Sequence, residues 1–462
     1  MSPLKPVSLN LNVRGMGLSA TLAIKQKCRE LQQQGLNIYD FGLGQSPFPV
    51  PPSVVEALRS AATERDYLPV QGLPALREAV ADYHRRTDGI EIHPDDVLVG
   101  PGSKELMFQV QLVFYGEVIL IPPCWVTYWP QARILGRRLS RIHATWESNW
   151  KIDAARLFEA VQRVGDDHRP RLLVLNYPSN PTGDTYSADE LREIAEVARR
   201  FQIIVLSDEI YGQLHFTNEH VSIARFYPEG TIVSSGLSKW CGAGGWRLGT
   251  FSFPRELSWL AKAMATVSSE TFTSVCAPIQ HAAIRAFQGG PDIEQYLRHA
   301  RRVLSALGDY CARTLAAAGL NVRRPRGAFY LFPDFTPLAA KLAARGITDG
   351  KTLCDRLLDE AGVAVLPGSA FGRSRGELTA RLSYVDFDGA TALQASEGTP
   401  SEAGEATPRE AGEATPREAS EDTLREAGET TPCEAPLTEA FLRRHCDRVV
   451  TGIDKLAAWV QA

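Results

Sequence analysis

No stretch of about 18 uncharged apolar residues occurs anywhere in the 462-residue chain, so a membrane-spanning helix is not expected. The first residues, Met1-Ser-Pro-Leu-Lys-Pro, lack the run of about seven apolar side chains that a secretory signal core needs. Charge of one sign is also missing: 50 Lys and Arg against 54 Asp and Glu leave a net charge of -4, and no basic footprint for nucleic acid. The eight cysteines are scattered, with no C-x-x-C pair. That argues against a zinc site and a disulfide framework, and for reduced thiols in a cytoplasmic protein. The G-x-x-x-x-G-K-[ST] spacing of a P-loop is absent too. What the chain has in quantity is apolar material, 44% of its residues, enough for a large core. Its length suggests roughly two to four domains, although large α/β units run longer.

Apolar strands alternate with helical stretches through most of the chain. Residues 54–65 and 73–87 read as helices, the second with Leu76, Val80 and Tyr83 at helical spacing and Pro74 near its first turn. Short apolar strands are expected from Asp96, Glu117, Arg171, Ile203 and Thr231, with helices at 104–115 and 188–201. Uninterrupted apolar strands separated by helices indicate a buried, mainly parallel sheet. Further on, a long helix at about 292–318, a strand from Gly327, a helix at 351–361 and a strand from Ala380 suggest a second, smaller α/β layer. The expected organisation is an N-terminal segment, 1–50, packing with the small domain, a large domain at 51–300, and a small domain made of 301–396 and 437–462.

Residues 397–436 interrupt that small domain with five octads: EGTPSEAG, EATPREAG, EATPREAS, EDTLREAG and ETTPCEAP. They hold ten Glu and one Asp against three Arg, with almost no apolar side chain to bury. Proline recurs at the fourth place in four of the five, which blocks a continuous helix. The segment is expected to be a disordered, acidic, solvated insertion. It is either a repeat expansion tolerated on the surface or a charged surface for a partner.

The chemistry gathers where strands end, the edge at which open α/β sheets collect ligands. Lys239 lies in Ser235-Gly-Leu-Ser-Lys-Trp-Cys-Gly-Ala-Gly-Gly-Trp-Arg247, a crowded glycine-rich turn. It is either a solvated loop lysine or an amine placed to form a Schiff base with an aldehyde whose anionic tail Ser238 and Arg247 hold. Pyridoxal phosphate needs that pairing. Asp208 and Tyr211, in Asp-x-x-Tyr after a strand, point toward one pocket mouth. Asp208 could keep a pyridine nitrogen protonated, or cap a helix. Asn180, in Asn-Pro-Thr-Gly, is presented by a rigid turn. Gly102-Ser103-Lys104 opens a helix, whose free N–H groups suit a phosphate. Trp125 follows a strand end, where it could stack on a flat heterocycle or pack in the core. Arg381, inside an expected strand, needs an anion. That anion is either an internal carboxylate or a substrate's.

Together these residues resemble the class I/II aminotransferases, the fold-type-I pyridoxal-phosphate enzymes. The resemblance rests on their order: Gly44-Gln-Ser-Pro-Phe, Tyr67 before Gly72-Leu-Pro-Ala-Leu-Arg, Gly102-Ser-Lys, Trp125, Asn180-Pro-Thr-Gly, Asp208-x-x-Tyr211, Ser238-Lys239 with Arg247, and Arg381-Leu-Ser-Tyr. It covers the chain apart from 397–436. It implies a large domain with a mainly parallel, seven-stranded-type sheet and a smaller α/β domain formed by both chain ends. Lys239 would be the Schiff-base lysine and proton shuttle, and Asp208 the partner of the ring nitrogen. Asn180 and Tyr211 would bind the ring oxygen and Trp125 would stack on the ring. Gly102, Ser103, Lys104, Ser238 and Arg247 would hold the phosphate. Tyr67 would reach the phosphate of a neighbouring subunit, implying a homodimer with shared active sites. Arg381, helped by Gly44 and Asn180, would clamp the substrate α-carboxylate. The implied reaction moves an amino group from an L-amino acid, either aspartate or a broad neutral or aromatic one, to a 2-oxo acid such as 2-oxoglutarate. A lyase or cyclase of the same fold and a non-enzymatic scaffold using the acidic repeat are the alternatives. One departure stands out: many members carry serine three residues before the lysine, where this chain has Gly236.

Overall fold

The computed structural model describes residues 9–163, 169–399 and 437–462. Its centre is a seven-stranded sheet. The strands lie side by side in the order Val97–Gly100, Gly249–Ser252, Thr231–Gly236, Ile204–Asp208, Arg171–Asn176, Glu117–Leu120 and Arg138–Arg141. Every neighbouring pair is parallel except the two that involve Gly249–Ser252, which runs against both its neighbours. The sheet is therefore mainly parallel, and both faces are covered, as its uninterrupted apolar strands require. Val118, Leu120, Leu172, Ile204 and Leu206 pack toward the helices Ser103–Val113 and Ser258–Ser269. Ile119, Leu173, Leu175 and Val205 pack toward the helices Ala154–Arg163 and Ala188–Arg200 on the other face.

Two smaller sheets complete the molecule. Leu366–Pro367, Ala380–Ser383 and Tyr330–Leu331 form an antiparallel set, and Tyr39–Asp40 pairs in parallel with Val363–Ala364. The helix Pro291–Ala317 packs against Asp447–Gln461. A continuous core runs from Leu76 and Val80 through Leu304 and Leu307 to Val449 and Ile453.

Several boundaries differ from expectation. The helix expected over 54–65 is Pro52–Ser60, because Thr63 to Asp66 supply no apolar side chain to bury. The strand expected from Gly327 starts at Tyr330, since Ala328 takes a positive φ of 56°. The strands 138–141 and 249–252 and the helices Tyr128–Ile134, Ala154–Arg163, Ser258–Ser269 and Ala277–Gln288 were not anticipated. The helix Gly389–Glu397 reaches the first residue of the first octad, so an insertion starting at 397 begins too early. Residues 400–436, the rest of the repeat, lie outside the described residues. Among the described residues, no helix is long and apolar enough to cross a membrane.

Candidate active site

Across three parallel strands, Asn176, Asp208 and Ser234 lie side by side in register, the first two at their strand ends. Asp208 is buried, and the Tyr128 hydroxyl donates to its Oδ2. Ser234 Oγ lies 3.4 Å from Oδ1. Burial pushes this carboxyl up from the usual carboxylate range to about 6, against the pull of Tyr128's hydroxyl. Behind it, Asn176 Nδ2 donates to the Asp208 carbonyl at 2.8 Å, while Asn176 Oδ1 accepts the Asn180 N–H at 2.8 Å. Asn176 therefore ties the Asn-Pro-Thr-Gly turn to the end of the central strand. The Asn180 side chain itself is buried, and its Oδ1 has no partner.

Lys239 follows the strand Thr231–Gly236 by three residues. Its Nζ donates to the Gly44 carbonyl at 2.7 Å, so the N-terminal segment roofs the amine. Nζ stands 5.6 Å from the centre of the Tyr211 ring and 5.9 Å from that of Phe329. Burial and then the Arg381 charge lower the lysine to about 8. The Tyr211 and Tyr330 hydroxyls share a 2.7 Å hydrogen bond, and burial holds the Tyr211 proton on well above its usual range. A side-chain carbon at Gly44 would lie 2.0 Å from the Tyr330 hydroxyl, which explains glycine there.

Arg381, in the strand Ala380–Ser383, is 1% exposed. Its guanidinium donates to the Gly42 carbonyl and lies 5.0 Å from the Tyr330 ring centre. Its Nε has no hydrogen-bond partner, and no ion pair reaches it among the described residues. A guanidinium buried without an ion pair is costly, and a planar anion arriving from outside could offset that cost.

A second polar corner lies at the start of the helix Ser103–Val113. Gly102 takes φ 89°, and a carbon added there would meet Arg247 Nη2 at 2.2 Å. Arg247, exposed and itself at φ 57°, donates to the Gly244 carbonyl at 2.8 Å. The helix N-terminus and this guanidinium together make a cradle for a phosphate. Lys104 is exposed, with Nζ 5.2 Å from the Trp125 ring, and half-buried Trp125 stands edge-on to Tyr128 at 5.3 Å. Ser238 is half-buried beside the lysine. Glycine at 236 has a steric cause, because a side chain there would lie 2.8 Å from the Leu248 carbonyl oxygen and 2.9 Å from the Gly249 Cα.

The structure thus brings Gly44, Asp208, Tyr211 and Arg381 around the Lys239 amine and ties the Asn180 turn to the strand end at Asp208, with Gly102, Ser103 and Arg247 at a second corner. It does not bring Tyr67 to that amine: the ring is 90% exposed on its own chain. Sequence reasoning missed Tyr128, Tyr330 and Asn176. Each sits in a stretch that was read for another purpose, beside Trp125, in the strand after Gly327 and before Asn180. Nothing local marks the buried hydroxyl or amide. An orphaned amide oxygen, an orphaned guanidinium nitrogen, a buried carboxylate, a lysine of lowered pKa and a phosphate cradle together fit pyridoxal phosphate.

The family model described as aminotransferase class I and II matches residues 36–388. An aspartate aminotransferase of Bacillus sp. (strain YM-2) is 35% identical over 381 residues, covering 80% of this chain and 93% of the relative. An aspartate/prephenate aminotransferase of Thermus thermophilus is 35% identical over 375 residues, covering 79% and 93%. The solved aspartate aminotransferase of Thermus thermophilus with maleate aligns with a TM-score of 0.75 at 33% identity, covering 84% of this chain and 97% of that one.

Proposed function

The chain belongs to the class I and II aminotransferases, and on that premise we propose that it moves the amino group of aspartate to a 2-oxo acid such as 2-oxoglutarate. It is an enzyme of the transaminase class, in a family that depends on pyridoxal phosphate. Aspartate is favoured because the relatives are named for it. The observation that carries the α-amino-acid reading is Arg381, a buried guanidinium without an anion in the same pocket as Lys239.

Pyridoxal phosphate, when bound, supplies an aldehyde for an amine and a ring that accepts the electrons left behind by the α-proton. Lys239 would hold it through Nζ, with Asp208 against the ring nitrogen and Asn180 and Tyr211 against the ring oxygen. Trp125 would cover the ring. Gly102, Ser103, Lys104, Ser238 and Arg247 would hold the phosphate. Arg381 then takes the α-carboxylate in two parallel hydrogen bonds and orients the Cα–H toward Lys239. Once the substrate's amino group has taken its place, Nζ would be free to take up and give back the α-proton, uncharged in a useful fraction because burial and Arg381 lower it to about 8. The Gly44 carbonyl orients Nζ for both transfers. A protonated ring nitrogen beside Asp208 would favour the charged carboxylate.

Exposed Tyr67 supports a second copy of the chain completing each phosphate site, which makes the working form a homodimer. The division into residues 51–300 and a small domain built from both chain ends, and a cytoplasmic location, belong to the same proposal. The test is a visible absorbance spectrum of the protein reconstituted with pyridoxal phosphate, recorded with each amino acid in turn. Aspartate is expected to bleach the visible band and yield oxaloacetate, with glutamate formed when 2-oxoglutarate is added. Bleaching by neutral or aromatic amino acids alone would replace aspartate as the donor. Loss of a leaving group in place of conserved amino groups would point to a lyase.

A further inference from the structure

The residue after Asp208 is an acid that the transamination chemistry leaves untouched. Along the central strand, Ile204, Leu206 and Asp208 face one side of the sheet, and Val205 and Ser207 face the other. Buried Glu209 continues the second set. Four donors meet its carboxylate: Ser207 Oγ and Ser222 Oγ at 2.6 Å each, His220 Nε2 at 2.7 Å and the Tyr177 hydroxyl at 3.3 Å. An ionised carboxylate, acceptor only, can satisfy all four at once. Burial opposes its charge, yet the facing His220 holds it below the usual range. His220 in turn is raised by Glu209 against its own burial. Asp88 is bonded to His84 Nδ1 at 2.7 Å, and burial with the His220 charge lowers His215 to about 4, so that it stays neutral.

Tyr177 links this rear cluster to the front. Its hydroxyl accepts the Ile223 N–H at 2.8 Å and donates to Glu209, and its ring lies 5.4 Å from that of His220. The residue before it, Asn176, faces the site and holds both the Asp208 carbonyl and the Asn180 N–H. Glu209 therefore grips two chain segments from behind: its own strand end, which carries Asp208, and the segment that carries Asn180. We propose that Glu209, braced by His220, is a positioning residue that sets Asp208 and Asn180 for transamination from the rear of the sheet. The proposal rests on the transaminase reading above.

The test compares wild type with Glu209→Ala, Glu209→Gln and Tyr177→Phe. Hydrogen exchange in the cofactor-free protein should show the Asn180 amide opening about tenfold faster in Glu209→Ala and Tyr177→Phe, since the buried network is partly undone. In the loaded enzyme, kcat should fall about tenfold while KM for the amino donor stays within about twofold, because Arg381 is untouched. Glu209→Gln keeps an acceptor oxygen and should restore both readouts to within about threefold of wild type. Should Glu209→Ala fail to fold, Tyr177→Phe, which removes one hydroxyl, carries the comparison. The inference is overturned if the folded variants exchange and turn over like wild type, or if Gln is as damaging as Ala. A wild type that forms no visible band with pyridoxal phosphate would instead sink the transaminase reading itself.

Discussion

Asp208 and Lys239 share one pocket, and burial drives both toward neutrality, the acid up to about 6 and the amine down to about 8. The signs have separate consequences. Because the folded pKa of Asp208 lies above its unfolded value of about 3.8, its favourable contribution is present below that value and lost as pH rises through about 6. Asp208→Asn should therefore melt higher than wild type in the cofactor-free state at pH 7.5, by on the order of 2–3 kcal/mol, and coincide with it near pH 4. The same variant should lose turnover by several orders of magnitude, since it cannot hold a charged ring nitrogen. Equal melting at pH 7.5 would remove the buried-charge account. For Lys239 the reactive form is the free amine, so the rate at which cofactor-free protein captures pyridoxal phosphate should climb with pH and level off above about 8. A flat profile between pH 6 and 9 would contradict that. Arg381→Ala should lower kcat/KM for every α-amino acid by roughly a hundredfold or more, the loss of a charge-assisted pair of bonds. Steady-state kinetics matching wild type would reassign the carboxylate site.

At the level of elements, the site depends on where the helix Ser103–Val113 starts. Gly102 is there because its φ of 89° suits glycine and because Arg247 occupies the space a side chain would take. Gly102→Ala should displace Arg247 and weaken capture of pyridoxal phosphate, while capture of pyridoxal, which lacks the phosphate, changes little. Equal losses for the two would mean that the cradle does not read the phosphate. The same elements show what a sequence reveals. The parallel strands were legible as apolar runs between helical stretches, since a strand buried on both faces has to be apolar throughout. The antiparallel strand Gly249–Ser252 was not, because Phe251 is the one large apolar residue among its four and its place is set by the close approach of Gly249 to Ser103. The helix Ala277–Gln288 was missed for another reason: the face it packs against the helices Pro52–Ser60 and Pro74–Thr87 is mostly alanine, which marks a buried face less plainly than larger apolar side chains do.

For the whole molecule, two features lie outside a single site. All but the first three residues of the acidic octads fall between Thr399 and Leu437, both of which are described. Replacing 400–436 by a short Gly-Ser linker should leave kcat/KM within about twofold of wild type, since none of the site residues falls in the segment. A large loss of turnover would give the repeat a role in the enzyme. Tyr67 belongs to the other feature. If its ring serves a second copy, Tyr67→Ala should weaken cofactor retention even though every residue around Lys239 is unchanged. Co-expressing it with Lys239→Ala should give a hybrid dimer whose one lysine-bearing site receives an intact Tyr67 from the other chain and retains cofactor like wild type.

The sequence alone determined the alternation of strands and helices, the order of the motifs and hence the cofactor chemistry, because these depend on local patterning and on residue types with few other uses. Only the tertiary structure decided which groups meet. Tyr128 reaches Asp208 across 80 residues, Tyr211 meets Tyr330 across 119, and Lys239 meets the Gly44 carbonyl across 195. Such contacts leave no local signature, since either partner taken alone is an ordinary buried tyrosine or a loop glycine. The lowered lysine and the raised aspartate belong to the same category: both shifts come from burial and neighbouring charge, and both exist only once the chain has closed around them.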